Sequence, residues 1–197
     1  GRVYKEVRAF ISDNRENLPA FPEEETTLKA FLDNESPFRG NALAEAKTLV
    51  EKLRTDLEKQ LSDTRKQAED EIRRVSAKLE RLKGFDQLSE DEKKQVTEEE
   101  EKALRRIAET PLIAVIRDIL STFKDNGHAK QLALFNDIIK KKAEGKEKDP
   151  VQYVTVHTIP VGFEKSAIEN EEDLEAYLEA IRKAYGKELK SNNRISL

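Results

Sequence analysis

The stretch from Ala42 to Lys83 constrains the fold of this chain most. Its 42 residues include no Pro or Gly, and its apolar positions recur every three or four residues. This spacing predicts one amphipathic helix, about 60 Å long, with a narrow apolar seam. The seam consists of Leu43, Ala46, Val50, Leu53, Leu57, Leu61, Ala68, Ile72, Val75, Leu79 and Leu82. A helix longer than a small domain must lay such a seam against another long helix.

A return arm follows at once and predicts a helical hairpin. Gly84 supplies a left-handed stop, and Ser89 with Glu92 forms a capping box that opens the next helix. The connection of about five residues favours an antiparallel return. This arm extends to Asn126, with a kink or division expected at Pro111. A parallel dimeric coiled coil is the alternative, disfavoured because the seam departs from strict three-four alternation and the return arm can cover it.

Pairing the two arms about Asp86 predicts an apolar base for the hairpin. The segment 112–123 would lie there against Leu49–Leu61. Further cover is expected from 132–139, on a helix after Gly127, and from two short N-terminal helices. The outer part should be the more mobile, because it is held partly by exposed ion pairs worth about 0–1 kcal/mol each. The rest of its support is expected from Ile72, Val75, Leu79, Val96, Leu104 and Ile107.

Four segments follow from these patterns. Residues 1–41 predict short N-terminal helices, 42–126 the hairpin, and 127–150 a helix with a charged linker. Residues 151–197 predict a strand–helix–strand cap, because the β-branched and aromatic stretch 151–163 precedes an amphipathic helix and a closing strand. The predicted fold is mostly α: a long antiparallel, coiled-coil-like helical hairpin on a helical base, with a small C-terminal α+β cap.

Composition narrows the class of protein. Charged residues make up 39 % of the chain, yet the net charge is only −4, which is typical of solvated helix faces and not of a nucleic-acid-binding surface. The lack of Cys excludes disulfides and thiolate metal sites. No export signal or membrane span is recognisable, so we expect a soluble, cytoplasmic protein without a membrane partner. Because the chain contains no Met, we expect a piece of a longer protein, monomeric or weakly associating.

Few side chains suggest a site. The two histidines, His128 and His157, fall on different predicted elements, so a paired catalytic or metal role would need an improbable convergence. Glu98–Glu101 could bind a cation, but adjacent helical residues point in different directions, which favours a solvated face. We therefore predict no catalytic, cofactor-binding or metal residue in this chain.

The lysine cluster and two tyrosines raise the possibility of nucleic-acid contact. Lys140–Lys142, Lys146 and Lys148 could touch phosphates, but acidic residues are interleaved with them, which makes DNA contact the weaker interpretation. Tyr153 and Tyr177 are expected in the core of the cap and not as platforms for base stacking.

The last block of sequence carries a family resemblance. Pro150–Val161, then Ile168–Lys183, then the closing Asn193–Leu197 resemble the extreme C-terminus of the large P-loop ATPase of BREX bacteriophage-exclusion systems, the BrxC/PglY family. The helical stretch that begins at Phe38 and runs through the seam, and the segment Pro111–Arg117, are similar to the helical region that precedes that terminus.

The resemblance implies a helical C-terminal region of an ATPase. Such an ATPase acts with other BREX components, including a DNA methyltransferase and an alkaline-phosphatase-like protein, to mark self DNA and block phage. Its nucleotide chemistry does not carry over, because no Gly-x-x-x-x-Gly-Lys-Ser/Thr occurs among the seven glycines. ATP and Mg²⁺ are expected only upstream, and self-association of the parent ATPase is an open possibility.

Three functions remain open from the sequence. The first is a non-catalytic assembly or interaction region of a BREX ATPase. The second is a generic coiled-coil scaffold that binds a partner, and the third is an accessory nucleic-acid-binding domain. An enzyme in its own right is the least favoured of all.

Overall fold

The computed structural model describes residues 1–34, 40–144 and 151–197. Predictions that fall on Phe38, Lys146, Lys148 and most of the charged linker lie outside these residues. The described chain is mostly helical and ends in a small αβ unit, which confirms the predicted fold class. Its helices are α1 (Arg2–Asp13), α2 (Pro22–Asp33), α3 (Ala42–Ser76), α4 (Glu90–Glu109), α5 (Ile113–Thr122), α6 (His128–Ala143) and α7 (Glu171–Lys190), and its strands are β1 (Gln152–Thr155) and β2 (Asn193–Ser196).

The long helix ends earlier than predicted, at Ser76 and not at Lys83. Beyond it, i→i−3 hydrogen bonds tighten the chain into a 3-10 turn at Leu79–Arg81. The turn places Leu79 in a buried cluster with Leu88, Val96 and three residues of α6, so tertiary packing accompanies the change from α-helix to 3-10 turn. Gly84 does adopt the left-handed conformation, with φ of 99°, but it opens a second 3-10 turn and does not cap α3.

Local signals in the return arm are confirmed. The Ser89 amide donates to Glu92 Oε2 at 2.7 Å, and the Glu92 amide donates to Ser89 Oγ at 3.2 Å, so both halves of the capping box form. Pro111 lies between the end of α4 and the start of α5, so it divides the arm in two.

The described residues form two compact units, and their boundary falls within α3. The first unit contains 1–69 and 106–119. Its core is built from α1, α2 and the first half of α3, and consists of Val7, Phe10, Leu18, Leu28, Phe31, Ala46, Val50, Leu53 and Leu57. This division does not test the four segments predicted from the sequence, which remain a prediction.

Two polar side chains fix the turn between α4 and α5 in the first unit. Arg65 donates to the carbonyl oxygens of Ile107 and Thr110, at 3.2 and 3.0 Å, which satisfies groups left free where α4 ends. Asn17 donates to the Pro111 carbonyl oxygen at 2.9 Å and accepts from the Ile113 amide at 3.0 Å. The Arg65 contacts place α3 beside the end of α4, as the antiparallel hairpin requires.

The second unit contains 70–105 and 120–197. Here Ser76 of α3 donates to Glu100 of α4 at 2.6 Å, which continues the antiparallel pairing. The chain after Leu120 runs parallel to the end of α3, because Lys124 pairs with Glu71 at 3.4 Å and Gln131 of α6 donates to Ser76 at 2.9 Å.

The position of α6 corrects one prediction. Leu132, Phe135 and Ile138 do not cover the hairpin base at Leu49–Leu61. Together with Leu79, Leu88 and Val96, they form a buried cluster at the hairpin turn. The reason is direction: α6 runs opposite to α4, with Lys130 near Glu99 and Lys142 near Glu92.

The C-terminal αβ unit has a strand–helix–strand order. Strands β1 and β2 are parallel, with Gln152 opposite Asn193 and Thr155 opposite Ser196, and α7 connects them. The sequence of 151–163 is compatible with one long strand or two short ones, and the structure has one short strand there, which ends at Thr155 and is followed by a 3-10 turn. The Thr158 hydroxyl closes that turn by donating to the Thr155 carbonyl oxygen at 2.9 Å.

Candidate functional site

The C-terminal αβ unit is part of the second compact unit, and a side-chain amide on α6 attaches it to the helices there. Asn136 Nδ2 donates to the Tyr153 carbonyl oxygen at 2.5 Å, and the Tyr153 amide donates to Asn136 Oδ1 at 2.9 Å. The side-chain amide thus pairs with β1 as a neighbouring strand would. Tyr153 adds a ring contact with Phe135, at 6.2 Å between centroids, and its hydroxyl accepts from the Lys83 amide at 3.3 Å.

The two tyrosines therefore have different places. Tyr153 packs against α6 and lies at the junction with the helices, not in the core of the cap as predicted. Tyr177 of α7 meets Phe163 edge to face, at 5.2 Å between ring centroids, inside the αβ unit. Both rings have protein neighbours, which agrees with a packing role.

A chain of polar side chains forms a second attachment. Ser196 of β2 lies 3.5 Å from His128 Nε2, and His128 Nδ1 lies 3.3 Å from Gln131 Oε1. Gln131 donates to Ser76 Oγ, and Ser76 donates to Glu100. His128, Gln131 and Ser76 are all buried. The chain thus joins β2 to α6, α3 and α4 within one unit.

The direction of the hydrogen bonds follows from their donors and acceptors. Since Ser76 gives its hydroxyl proton to the Glu100 carboxylate, it accepts from the Gln131 amide nitrogen. The Gln131 oxygen then accepts, so His128 carries its proton on Nδ1. That leaves Nε2 as an acceptor for the Ser196 hydroxyl. Each link thus pairs one donor with one acceptor, and the chain ends on a charged acceptor.

This arrangement keeps His128 neutral. Burial of the ring lowers its pKa, and the positive charge of Lys78 and the proximity of His157 act in the same direction. The hydrogen bond to Gln131 opposes them. Both ring nitrogens have partners, which is typical of a structural histidine.

Sequence reasoning did not find this chain of side chains. It predicted that His128 and His157 lie on different elements, and they lie on α6 and on the exposed turn after β1. The available signal was the spacing of His128 and Gln131, which places two polar side chains on one face of α6.

Glu98–Glu101 diverge as helical geometry requires. Glu98 pairs with Lys102 at 2.9 Å, Glu99 lies 3.6 Å from Lys130, and Glu100 accepts from Ser76. Within 1–34, 40–144 and 151–197 the structure contains no group of three or more His, Asp or Glu side chains that could hold a metal ion.

Only part of the lysine cluster lies among the described residues. Lys142 reaches Glu92 of α4 at 2.9 Å, and together with Ser89 it lowers the pKa of that carboxyl. Lys140 and Lys141 are exposed on the last turn of α6. One cation of the cluster is thus engaged with an acid of its own chain.

An apolar face of α7 is exposed. Leu174, Leu178 and Leu189 are 41 %, 48 % and 51 % accessible, and Ile181 and Tyr185 between them are half-buried. These five positions recur at steps of three or four and form one stripe along the helix. Exposed leucines in a row on a small unit are typical of an interaction surface.

The comparison with known families bears on the same part of the chain. Residues 152–197 match the family model described as the BrxC C-terminal alpha-beta domain. The end of this chain thus resembles a BrxC-family C-terminal region. The match confirms the resemblance predicted for the last block of sequence and is consistent with a BREX-related region. It does not cover the helical stretch from Phe38 or the segment Pro111–Arg117, where the resemblance stays a prediction. It begins at β1 and ends after β2, so it coincides with the αβ unit, which we now call the BrxC domain.

The other comparisons were negative. No curated protein and no solved structure matched this chain. Each helix in the described part of the chain is too short or too polar to cross a membrane.

Proposed function

We propose that this chain is a non-catalytic assembly and interaction region of a BREX bacteriophage-exclusion ATPase. The observation that carries the proposal is the BrxC domain, which is anchored to the helices and exposes an apolar face. Asn136 and the His128 chain hold it to the helices. A rigidly held surface loses little conformational entropy when it binds a partner.

The proposal assigns nucleotide chemistry to another part of the parent protein. It is supported by the sequence, which has no phosphate-binding Gly-x-x-x-x-Gly-Lys-Ser/Thr motif. This chain then contributes neither catalytic residues nor ATP and Mg²⁺ ligands. Its partners are other BREX components.

A binding assay tests the proposal. The purified chain is immobilised and each of the other BREX components is passed over it separately. We expect at least one saturable interaction, weakened at least tenfold by Leu174→Glu on the exposed face. Lys183→Glu, on the opposite side of α7, serves as the matched control. Absence of binding by every component, or ATP hydrolysis by this chain alone, would refute the proposal.

DNA contact is the alternative that the same material can test. Lys140 and Lys141 are its structural basis, since both are exposed. Duplex DNA is titrated at two salt concentrations, because true phosphate contacts weaken steeply as salt rises. On the proposed function we expect no salt-dependent binding. A steep loss of affinity with salt would favour an accessory nucleic-acid-binding domain.

A further inference from the structure

A groove in the BrxC domain is lined by positive charge. It lies between the segment after β1, at Pro160 and Gly162, and the second half of α7, and it has a volume of about 830 Å³. Its cationic residues all come from α7, and they are Arg182, Lys183, Lys187 and Lys190. None of the described residues that line it is acidic or aromatic. We call it the cationic groove.

Packing inside the domain holds both walls of the cationic groove in place. Phe163, directly after the wall at 160–162, meets Tyr177 of α7 edge to face, at 5.2 Å between ring centroids. Lys165 of the same segment donates to the buried Asp173 of α7 at 2.6 Å. A groove that is formed before its ligand arrives loses little conformational entropy on binding.

Three of the four cations have no acidic partner in the part of the chain that the structure describes. Arg182 lies 3.6 Å from Glu179. No carboxylate lies within 4 Å of the other three, Lys183, Lys187 and Lys190. Lysines three and four positions apart on a helix repel one another, and the helix dipole favours cations in the last turn only, which does not include Lys183. An anion bound between the three lysines would relieve their repulsion.

The surroundings of the cationic groove select a short acidic protein segment as its ligand. Lys183 and Lys190 are only about 10 Å apart along the helix axis. Glu172 and Glu179 lie on the same side of α7, three turns and one turn before Lys183, so they would repel the phosphates of a long duplex. Single-stranded nucleic acid is held by stacking on aromatic rings, which the described lining does not offer. A protein segment with two or three carboxylates over a similar length avoids both problems.

We infer that the cationic groove binds a short acidic segment of a protein partner, whose carboxylates pair with Lys183, Lys187 and Lys190. The groove and the apolar stripe lie on opposite sides of α7, because about 100° per residue places Lys187 about 180° from Leu178. The inference therefore goes beyond the proposed function, since it adds a second binding surface that does not use the leucines.

Fluorescence anisotropy with the full chain tests the inference. The probe is a labelled peptide with three glutamates at alternate positions, which lie about 7 Å apart on one side of an extended chain. A peptide with glutamine at the same positions is its control. We expect saturable binding of the glutamate peptide that weakens as salt rises, and no binding of the glutamine peptide.

Paired substitutions locate the binding on the chain. Lys183→Gln together with Lys187→Gln should weaken binding of the glutamate peptide at least tenfold. Lys140→Gln together with Lys141→Gln removes the same charge from exposed positions on α6 and should stay within twofold of the wild type. Equal losses in the two double variants would overturn the inference, as would a wild type that does not bind the peptide.

Gly186→Leu separates a ligand seated in the groove from diffuse attraction. Gly186 lines the groove, and a Cβ there meets nothing within 4 Å, so a larger side chain takes up space in the groove while every charge is kept. We expect at least fivefold weaker binding, with a helix content by circular dichroism no lower than that of the wild type. Unchanged affinity would overturn the inference.

Two controls separate this inference from its alternatives. An oligothymidylate of the same charge should bind at least tenfold more weakly than the glutamate peptide, and equal or tighter binding would overturn the inference in favour of nucleic acid. Leu174→Glu should bind the peptide as the wild type does, and a loss there would also overturn it. The proposed BREX interaction is measured at the apolar stripe with other components, so its failure and the failure of this inference are distinguishable.

Discussion

At the residue scale, polar side chains decide how the BrxC domain is held. Asn136 completes the hydrogen bonding of Tyr153, and His128 connects Ser196 to Gln131. Leaving a buried donor or acceptor without its partner costs about 1–3 kcal/mol, so each of these groups depends on the others. None of the pairings can be deduced from sequence spacing alone, except that of His128 with Gln131.

Because the pKa of His128 is lowered in the folded chain, we expect the free energy of unfolding to depend on pH near neutrality. Below about pH 6.5 the unfolded chain takes up the proton more readily. The stabilisation is complete above that pH and is lost as the pH falls. His128→Gln should remove this component, so that variant and wild type converge in free energy of unfolding as the pH falls from about 7.5 to 5.

The pH window separates this effect from that of carboxylates. The Arg74 guanidinium, with Lys124 nearby, lowers the pKa of Glu71 to about 2, and stability linked to this group is lost only below about pH 4.5. Denaturant unfolding at closely spaced pH values measures the difference. An unchanged pH profile in His128→Gln between pH 7.5 and 5 would refute the assignment.

At the scale of elements, the start of α4 and the break at Pro111 follow the sequence prediction, whereas the end of α3 and the helix paths do not. Ser89 and Glu92 cap α4 because the whole motif lies within four residues. The segment from α5 to α6 depends instead on a π-helical turn at Phe123–Gly127, where Gly127 packs against the Phe123 ring. Such a turn depends on tertiary packing and cannot be recognised from the periodicity of the sequence.

Ser89→Ala should destabilise the fold by about 0.5–2 kcal/mol, because the first turn of α4 loses a side-chain acceptor for the Glu92 amide. Urea unfolding measures the loss. Ser89→Asp, which keeps an acceptor at the cap, is the matched control and should remain within a few tenths of a kcal/mol of the wild type. Equal losses in the two variants would contradict the capping role.

Gly127→Ala should also destabilise, by about 1–3 kcal/mol, although alanine is the better helix former. A Cβ at this position would lie 2.5 Å from Phe123 Cδ2, and that ring is buried. Gly186→Ala in α7 is the control, because a Cβ there meets nothing within 4 Å. Thermal unfolding should show a loss for the first variant and a gain of about 0.5–1 kcal/mol for the second. A gain in both would contradict the packing at Gly127.

At the scale of the whole molecule, each of the two compact units contains a buried apolar cluster. The first unit is built on the cluster of α1, α2 and α3, and the second has its cluster at the hairpin turn. The sequence predicts the outer part of the hairpin to be held partly by charges and partly by apolar residues, Leu79 and Val96 among them. The structure places Leu79, Leu88 and Val96 there under α6, so apolar burial contributes as well.

Alanine substitutions at buried apolar positions should therefore lower the free energy of unfolding far more than a charge reversal at an exposed position. Ile116 is fully buried in the first unit and Leu79 almost fully buried in the second, so alanine at either should cost about 2–5 kcal/mol. Arg81→Glu, an exposed charge reversal at the hairpin turn, should stay within about 0.5 kcal/mol of the wild type. Chemical denaturation of the three variants measures this, and a loss at Arg81 equal to that at Ile116 would contradict the prediction.

The sequence by itself determined the features that depend on near neighbours along the chain. These are the helical period of the seam, the capping box at Ser89, the left-handed Gly84, the break at Pro111 and the strand–helix–strand order of the last segment. Each is encoded within a few residues, or within one repeating pattern. The family resemblance belongs to the same group, since it too resides in a continuous block.

Only the tertiary structure decided where the elements meet. The early end of α3, the return of α6 to the hairpin turn and the exposure of the α7 leucines all depend on which apolar stripes pair. Periodicity identifies an apolar stripe on a helix, but it does not identify the other stripe against which that helix packs. Contacts between distant parts of the chain make that difference, as at Pro111, where Arg65 and Asn17 hold the turn by bonds to backbone groups 42 to 96 positions away.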